Sequence, residues 1–179
     1  MVNKKALILF SGGLDSTTVL HHAITKGYDC ISLTIDYNQR HSYEIESSQK
    51  YLKNLKLKGY VFKIDLTQIG GSALTDNAIN VPTEMNIGIP VTYVPARNTI
   101  FLSIASAYAE KMDIDQIFIG VNQIDYSGYP DCRPDFIDSF KTTINLGTKT
   151  GVDGKQLEIN TPLINMSKKD IIKYNEIDC

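Results

Sequence analysis

Residues 6–16 read ALILFSGGLDS, an unbroken apolar run that ends in two adjacent glycines and passes into helix-forming sequence. An Ala-Leu-Ile-Leu-Phe run without polar alternation suits a parallel strand covered on both faces. Two glycines let the chain turn sharply and bring its backbone against a ligand with no Cβ in the way. The helix that follows then starts at the ligand. Its first amides have no intrahelical partners and lie at the positive end of the helix dipole, which favours an anion such as pyrophosphate. Ser11 and Ser16 add hydroxyls, whereas Asp15, acidic beside a phosphate, points to Mg²⁺ or to the turn itself. A plain glycine turn between strand and helix is the simpler alternative. Two other phosphate signatures fit poorly: no lysine follows the glycines as in G-x-x-x-x-G-K-[ST], and no G-x-G-x-x-G is present.

Around this turn the chain has the make-up of one α/β domain. Its 179 residues are enough to bury about two-thirds of the unfolded surface. The net charge of -2 and a pI near 5.9 do not favour a nucleic-acid partner. The apolar stretch after Met1-Val2-Asn3-Lys4-Lys5 is too short for a signal peptide, and no run approaches a membrane span, so the cytoplasm is the expected compartment. Cys30, Cys132 and Cys179 are too widely spaced for a disulfide framework or a C-x-x-C pair. Cys30 opens an apolar segment and reads as a small buried residue.

Strand and helix signals alternate along the rest. A helix over 17–26 stops at Gly27, a natural C-cap, and a β-branched strand covers 30–37. A helix over 43–57 and a strand over 60–66 follow. Residues 67–95 hold Gly70, Gly71, Pro82, Gly88, Pro90 and Pro95 without a clear period, too long for an ordinary connection, and read as a lid or binding loop. The strongest helix spans 98–112, then a buried strand 116–121, a helix 134–146 with Pro134 in its first turn, and a short strand 157–159. Ser167 and Asp170 give a weak capping-box pattern for a last helix. The expected fold is a doubly wound, mainly parallel five-stranded sheet of Rossmann-like type, with ligands at the carboxyl ends of its strands.

That fold puts three further segments on the rim of the glycine turn: Asp36 to His41 after the second strand, Pro95 to Asn98 before the long helix, and Gly120 to Asn122 after the fourth strand. Arg97 and Asn98 either hold a phosphate or carboxylate, or are a loop arginine and a helix cap. His41 with Glu44 is an exposed helix pair or a catalytic one. Lys168 and Lys169 stand at a helix start, where cations oppose the dipole; a bound anion or a solvated face would explain them. The stretch 125–134, DYSGYPDCRP, reads as a loop whose aromatic, acidic and basic groups suit a planar heterocycle, or as a purely structural loop.

The S-G-G-x-D-S residues resemble the pyrophosphate loop of the ATP pyrophosphatases. FSGGLDSTT, YNQRH, Gly70 to Thr75, VPARN and SGYPDCRP also occur in this order in the 7-cyano-7-deazaguanine synthases of queuosine biosynthesis, a resemblance spanning most of the chain. It implies an adenine-nucleotide alpha-hydrolase type of fold over 1–179. It also implies an ATP- and Mg²⁺-dependent conversion of 7-carboxy-7-deazaguanine and ammonia to the nitrile, through an acyl adenylate and an amide. Phe10, Ser11, Gly12, Gly13, Leu14, Asp15, Ser16 and Thr17 would bind ATP, and Asp15, Arg97 and Lys168 would carry the chemistry by position and charge. Tyr129, Asp131, Arg133, Arg40 and His41 would hold the deazaguanine, Asp131 by accepting from its amino and ring N–H edge. A homodimer is the expected assembly.

The resemblance also implies a C-terminal zinc site of four cysteines, which this sequence does not contain as a cluster. Cys132 lies in SGYPDCRP, so Cys179 is the single residue that could belong to the site, and structural zinc needs about four ligands. The expectation is that the zinc segment lies beyond the sequence given; a member without zinc is the alternative. Two other functions stay open, another ATP pyrophosphatase that amidates an acid or modifies tRNA, and a non-catalytic nucleotide-binding module.

Overall fold

The computed structural model describes residues 4–39, 43–76, 78–79 and 89–178. Five parallel strands form one sheet in the order β3-β2-β1-β4-β5, with β1 Lys5–Leu9, β2 Asp29–Asp36, β3 Lys58–Lys63, β4 Gln116–Phe118 and β5 Glu158–Asn160. The helices are α1 Leu14–Thr25, α2 Tyr43–Asn54, α3 Arg97–Met112, α4 Gln123–Gly128, α5 Pro134–Gly147, α6 Lys149–Val152 and α7 Lys168–Asp178. The doubly wound parallel sheet is therefore as expected.

β1 is the central strand, and its pattern explains why it lacks polar alternation. Ala6, Ile8 and Phe10 enter one core with Val19, Leu20 and Ala23 of α1, Leu52 of α2 and Ile171 of α7. Leu7 and Leu9 enter the opposite core with Leu102, Ala105 and Ala109 of α3 and Ile137, Phe140 and Ile144 of α5. Each fully buried Leu or Ile stabilises the fold by about 1.5–3 kcal/mol, and every residue from Ala6 to Phe10 is buried.

Several boundaries differ from the sequence reading, each for a physical reason. α1 begins at Leu14 rather than at residue 17, because Thr17 N already bonds back to Gly13 O at 3.0 Å. α2 stops at Asn54, where the chain turns through Lys56 at φ 56°. β3 starts two residues early, at Lys58, and ends at Lys63. β4 is three residues long; Ile119 N still bonds to Asn160 O at 3.1 Å, but the chain then leaves the sheet at Gly120. The expected loop 125–134 is mostly helical: α4 is followed by a single 3₁₀ turn at Pro130–Cys132. The chain leaves β1 for β2 and β3 on one side and crosses to β4 and β5 on the other, so the switch point lies between β1 and β4, where such sheets bind ligands.

Candidate active site

A cavity of about 540 Å³ opens at that switch point. Its floor is the carboxyl ends of β1 and β2 and the segment after β4, from Leu9, Phe10, Leu33, Ile35, Ile119 and Val121. The glycine turn, Tyr37, Gln39, Arg97, Phe101, Asp125, Cys132 and Lys168 form its walls. The rim grouping drawn from sequence is thus met for Tyr37, Gln39, Arg97, Asn98, Gly120 and Val121. Arg40 and His41 lie outside the described residues, as does Cys179. Of the expected lid, residues 67–76, 78–79 and 89–95 are described, and Leu74 reaches the cavity.

The turn is held from within. Gly12 has φ 86°, a backbone conformation that side chains rarely tolerate. Ser16, buried in the first turn of α1, receives Ser11 N at 3.2 Å and Gly12 N at 3.1 Å on its hydroxyl oxygen, and donates to Gly13 O at 3.0 Å. Ser11 Oγ lies 3.1 Å from the same oxygen. The Ser16 hydroxyl thus organises the loop backbone, while Ser11, Gly12 and Gly13 face solvent.

Asp15 is the electrostatic centre. Its Oδ2 accepts from Lys168 Nζ in an ion pair that joins the start of α7 to the start of α1, and from Asn122 Nδ2 at 3.0 Å. Its Oδ1 is buried and has no hydrogen-bond partner among the described residues. The choice posed for Lys168, bound anion or solvated face, has a third answer in Asp15; Lys169 is exposed. The start of α7 carries the expected capping box, with Asp170 N donating to Ser167 Oγ at 3.3 Å and Ser167 N to Asp170 Oδ2 at 3.2 Å. The Ser167 hydroxyl, and after it the Ser167 N–H, donate to Asp170 Oδ2 and hold that carboxyl below its usual range.

Two residues that the sequence reading named only as parts of the 120–122 and 125–134 segments, without a role of their own, stand beside this centre. Asp125 lines the cavity, and burial pushes its carboxyl above the usual value, against the pull of the Lys168 and Arg97 charges. Asn122 is fully buried and caps α4. The signal was available, since Asn122 and Asp125 have the spacing of a capping box.

The SGYPDCRP residues divide. Cys132 reaches the cavity wall, whereas Asp131 turns away: its buried Oδ2 accepts from Asn98 N at 2.8 Å, putting a carboxylate at the N-terminus of α3. Of the two readings of Asn98, the helix cap is not the one met. Ala96 occupies that position, with φ 53°, and Asn98 Nδ2 donates to Asp131 O and Cys132 Sγ. Tyr129 faces the 89–95 segment, its hydroxyl 3.0 Å from Thr92 Oγ1 and its ring 6.1 Å from that of Tyr93. Arg133 is exposed just before α5.

These residues fit a magnesium nucleotide and not a zinc ion. Mg²⁺ needs one or two carboxylates plus phosphate oxygens, and Asp15 offers a buried oxygen, unpartnered among the described residues, beside a phosphate-type turn. Among the described residues no group of three or more His, Cys, Asp or Glu is placed to hold a metal. Cys30 and Cys132 enter opposite cores, and burial pushes both thiols up to about 12.

Residues 5–177 match the family described as "Queuosine biosynthesis protein QueC". The chain belongs to this family. It is 56% identical over 174 residues to the 7-cyano-7-deazaguanine synthase of Cellvibrio japonicus, covering 97% of this chain and 77% of that protein. It is 55% identical, with the same coverage, to the synthase of that name from Saccharophagus degradans. Among solved structures, a predicted subunit of a tRNA methyltransferase from Methanocaldococcus jannaschii aligns with a TM-score of 0.63 and 18% identity over 97% of this chain and 74% of that one. The NH3-dependent NAD synthetase of Campylobacter jejuni aligns with a TM-score of 0.55 and 14% identity over 99% and 65%. At those identities the structures establish a shared fold. The QueC relatives are named as synthases, so this chain is read as an enzyme of queuosine biosynthesis. Among the described residues no helix is long and apolar enough to cross a membrane.

Proposed function

We propose that this QueC-family chain converts 7-carboxy-7-deazaguanine and ammonia to 7-cyano-7-deazaguanine with cleavage of ATP to AMP and pyrophosphate. The observation that carries the reading is the S-G-G-L-D-S turn at the β1–β4 switch point, with Asp15 joined to Lys168 inside a cavity large enough for substrates. The substrate carboxylate attacks the α-phosphorus, forming an acyl adenylate and releasing pyrophosphate. Ammonia displaces AMP and loses a proton, leaving the amide. The amide oxygen is adenylated in the same way, and loss of AMP and of the remaining nitrogen protons gives the nitrile.

In this scheme the amides at the start of α1 and the loop from Phe10 to Thr17 hold the phosphates. Arg97, at the start of α3, and Lys168 supply positive charge where pyrophosphate leaves. Asp15 would hold Mg²⁺, which neutralises phosphate charge when bound. Tyr37 and Phe101, their ring centroids 5.5 Å apart, give the cavity an aromatic wall for a flat ring. Tyr129, Arg133, Arg40 and His41 are kept as candidates for the heterocycle. Asp131 contributes by fixing α3, which carries Arg97. We further infer a homodimer acting on small molecules in the cytoplasm and not on nucleic acid, a reading supported by the net charge of -2.

The test is incubation of the protein with the carboxylic acid, ammonium, ATP and Mg²⁺, followed by mass spectrometry. The nitrile is expected, with the amide appearing before it. Neither product from ATP-competent protein would overturn the reading.

A further inference from the structure

We propose that Asn122 is a positioning residue, which fixes the orientation of the Asp15 carboxylate so that its Oδ1 faces the magnesium nucleotide. The inference rests on the reading that the cavity binds MgATP. Asn122 is completely buried, and its side-chain oxygen, its side-chain nitrogen and its backbone N–H are all used. Its Oδ1 accepts from Ile124 N at 2.9 Å and Asp125 N at 3.3 Å, and its own N–H donates to Asp125 Oδ2 at 3.2 Å. Its Nδ2 donates across the site to Asp15 Oδ2 at 3.0 Å.

The orientation of the amide is dictated by this network. Two backbone N–H groups converge on Oδ1, so exchanging oxygen and nitrogen would set donor against donor, and the NH₂ group has to face Asp15. Lys168 approaches the same Oδ2, which leaves the two Asp15 oxygens in opposite situations: one has two donors, the other is buried with none among the described residues. Capping alone does not explain asparagine here. Serine and aspartate serve as well at an N-cap, but serine is too short to donate to Asp15 and aspartate would put a second carboxylate against it. Asparagine accepts at the cap and donates beyond it, so it joins the end of β4 to the first turn of α1.

The experiment is a double-mutant cycle in the full chain, with Asn122→Ser, Asp15→Asn and the pair, read by calorimetry as the MgATP dissociation constant and by thermal unfolding. Asn122→Ser keeps a capping oxygen and should unfold within a few degrees of the parent, yet bind MgATP about 10- to 100-fold more weakly. In the Asp15→Asn background the same substitution should change affinity by less than about threefold, since its target is gone. Asn122→Asp, also a good cap, should weaken binding at least as much as Asn122→Ser. Unchanged affinity in both Asn122 variants, or an equal loss in both backgrounds, would overturn the inference. Coupled affinities with no nitrile formed would sink the proposed reaction and leave this inference standing; no MgATP binding by the parent would overturn both.

Discussion

Ser16 and Asp125 show how single side chains govern the cavity by different physics. The Ser16 hydroxyl is the shared partner of two loop amides, so Ser16→Ala should loosen the loop without disturbing the core. The amides can turn to water, so a stability loss of about 1 kcal/mol is expected, or about 2–4 °C in Tm for a chain of this size. Pyrophosphate release should fall about 100-fold, since misplacement by about 1 Å has that effect, and a continuous pyrophosphate assay would check it. Asp125 makes a statement about pH. Burial raises its carboxyl above the unfolded value, so between the two values the native state holds the proton and the unfolded chain does not. Its contribution is complete below the ordinary carboxylate range and is lost as pH rises through the raised value. Comparing Tm against pH for the parent and Asp125→Asn should show that decline in the parent alone. Asp15 illustrates what was and was not legible at this scale. Its place in a phosphate turn follows from neighbours in sequence, whereas its partners Asn122 and Lys168 stand 107 and 153 residues away and leave no local trace.

At the scale of elements, the site is made by two ends meeting: the first turn of α1 and the exit from β4. Gly120 is where they touch. A Cβ there would come within 3.1 Å of Asp15 C and Ser16 N and 3.2 Å of Asp15 O, all backbone atoms that cannot swing aside. Gly120→Ala should therefore push the α1 turn by a few tenths of an ångström, destabilise by about 1–3 kcal/mol as overpacking does, and cut turnover about tenfold. Denaturant unfolding together with the pyrophosphate assay would test both effects. The elements themselves were readable because their patterns are strong: β1 is apolar throughout and α3 repeats its small and large apolar residues at helical spacing. What the sequence hid was the stretch 123–132, whose glycine, proline and short length resemble a loop. Its helical turns depend on the Asn122 cap and on packing under the 89–95 segment, where Pro90 Cγ lies 3.3 Å from a Cβ position built on Gly128. The bond from Asn98 N to Asp131 was hidden for the same reason, since composition does not reveal that α3 lies beside it.

For the whole molecule, the parallel order joins distant parts of the chain. Leu7 of β1 pairs with Ile31 on one side and Ile117 on the other, and both cores close around that strand. Ligand binding to the native state alone should then stabilise the entire sheet by mass action: MgATP at 100 times its dissociation constant should add about 2.7 kcal/mol. A rise in Tm that grows with MgATP concentration and is smaller at equal MgATP in Asp15→Asn would check this; no shift at saturating nucleotide would contradict a nucleotide site at the switch point. The contact between α7 and α1, through Lys168 to Asp15 and Asn175 to Thr18, has a consequence for biosynthesis. The ribosome delivers the glycine turn early, but its aspartate meets its lysine only after residue 168 has cleared the exit tunnel. A nascent chain halted before that point would display the phosphate turn without its counter-charge, so the Asp15–Lys168 pair is a contact that only a chain extended past residue 168 can make.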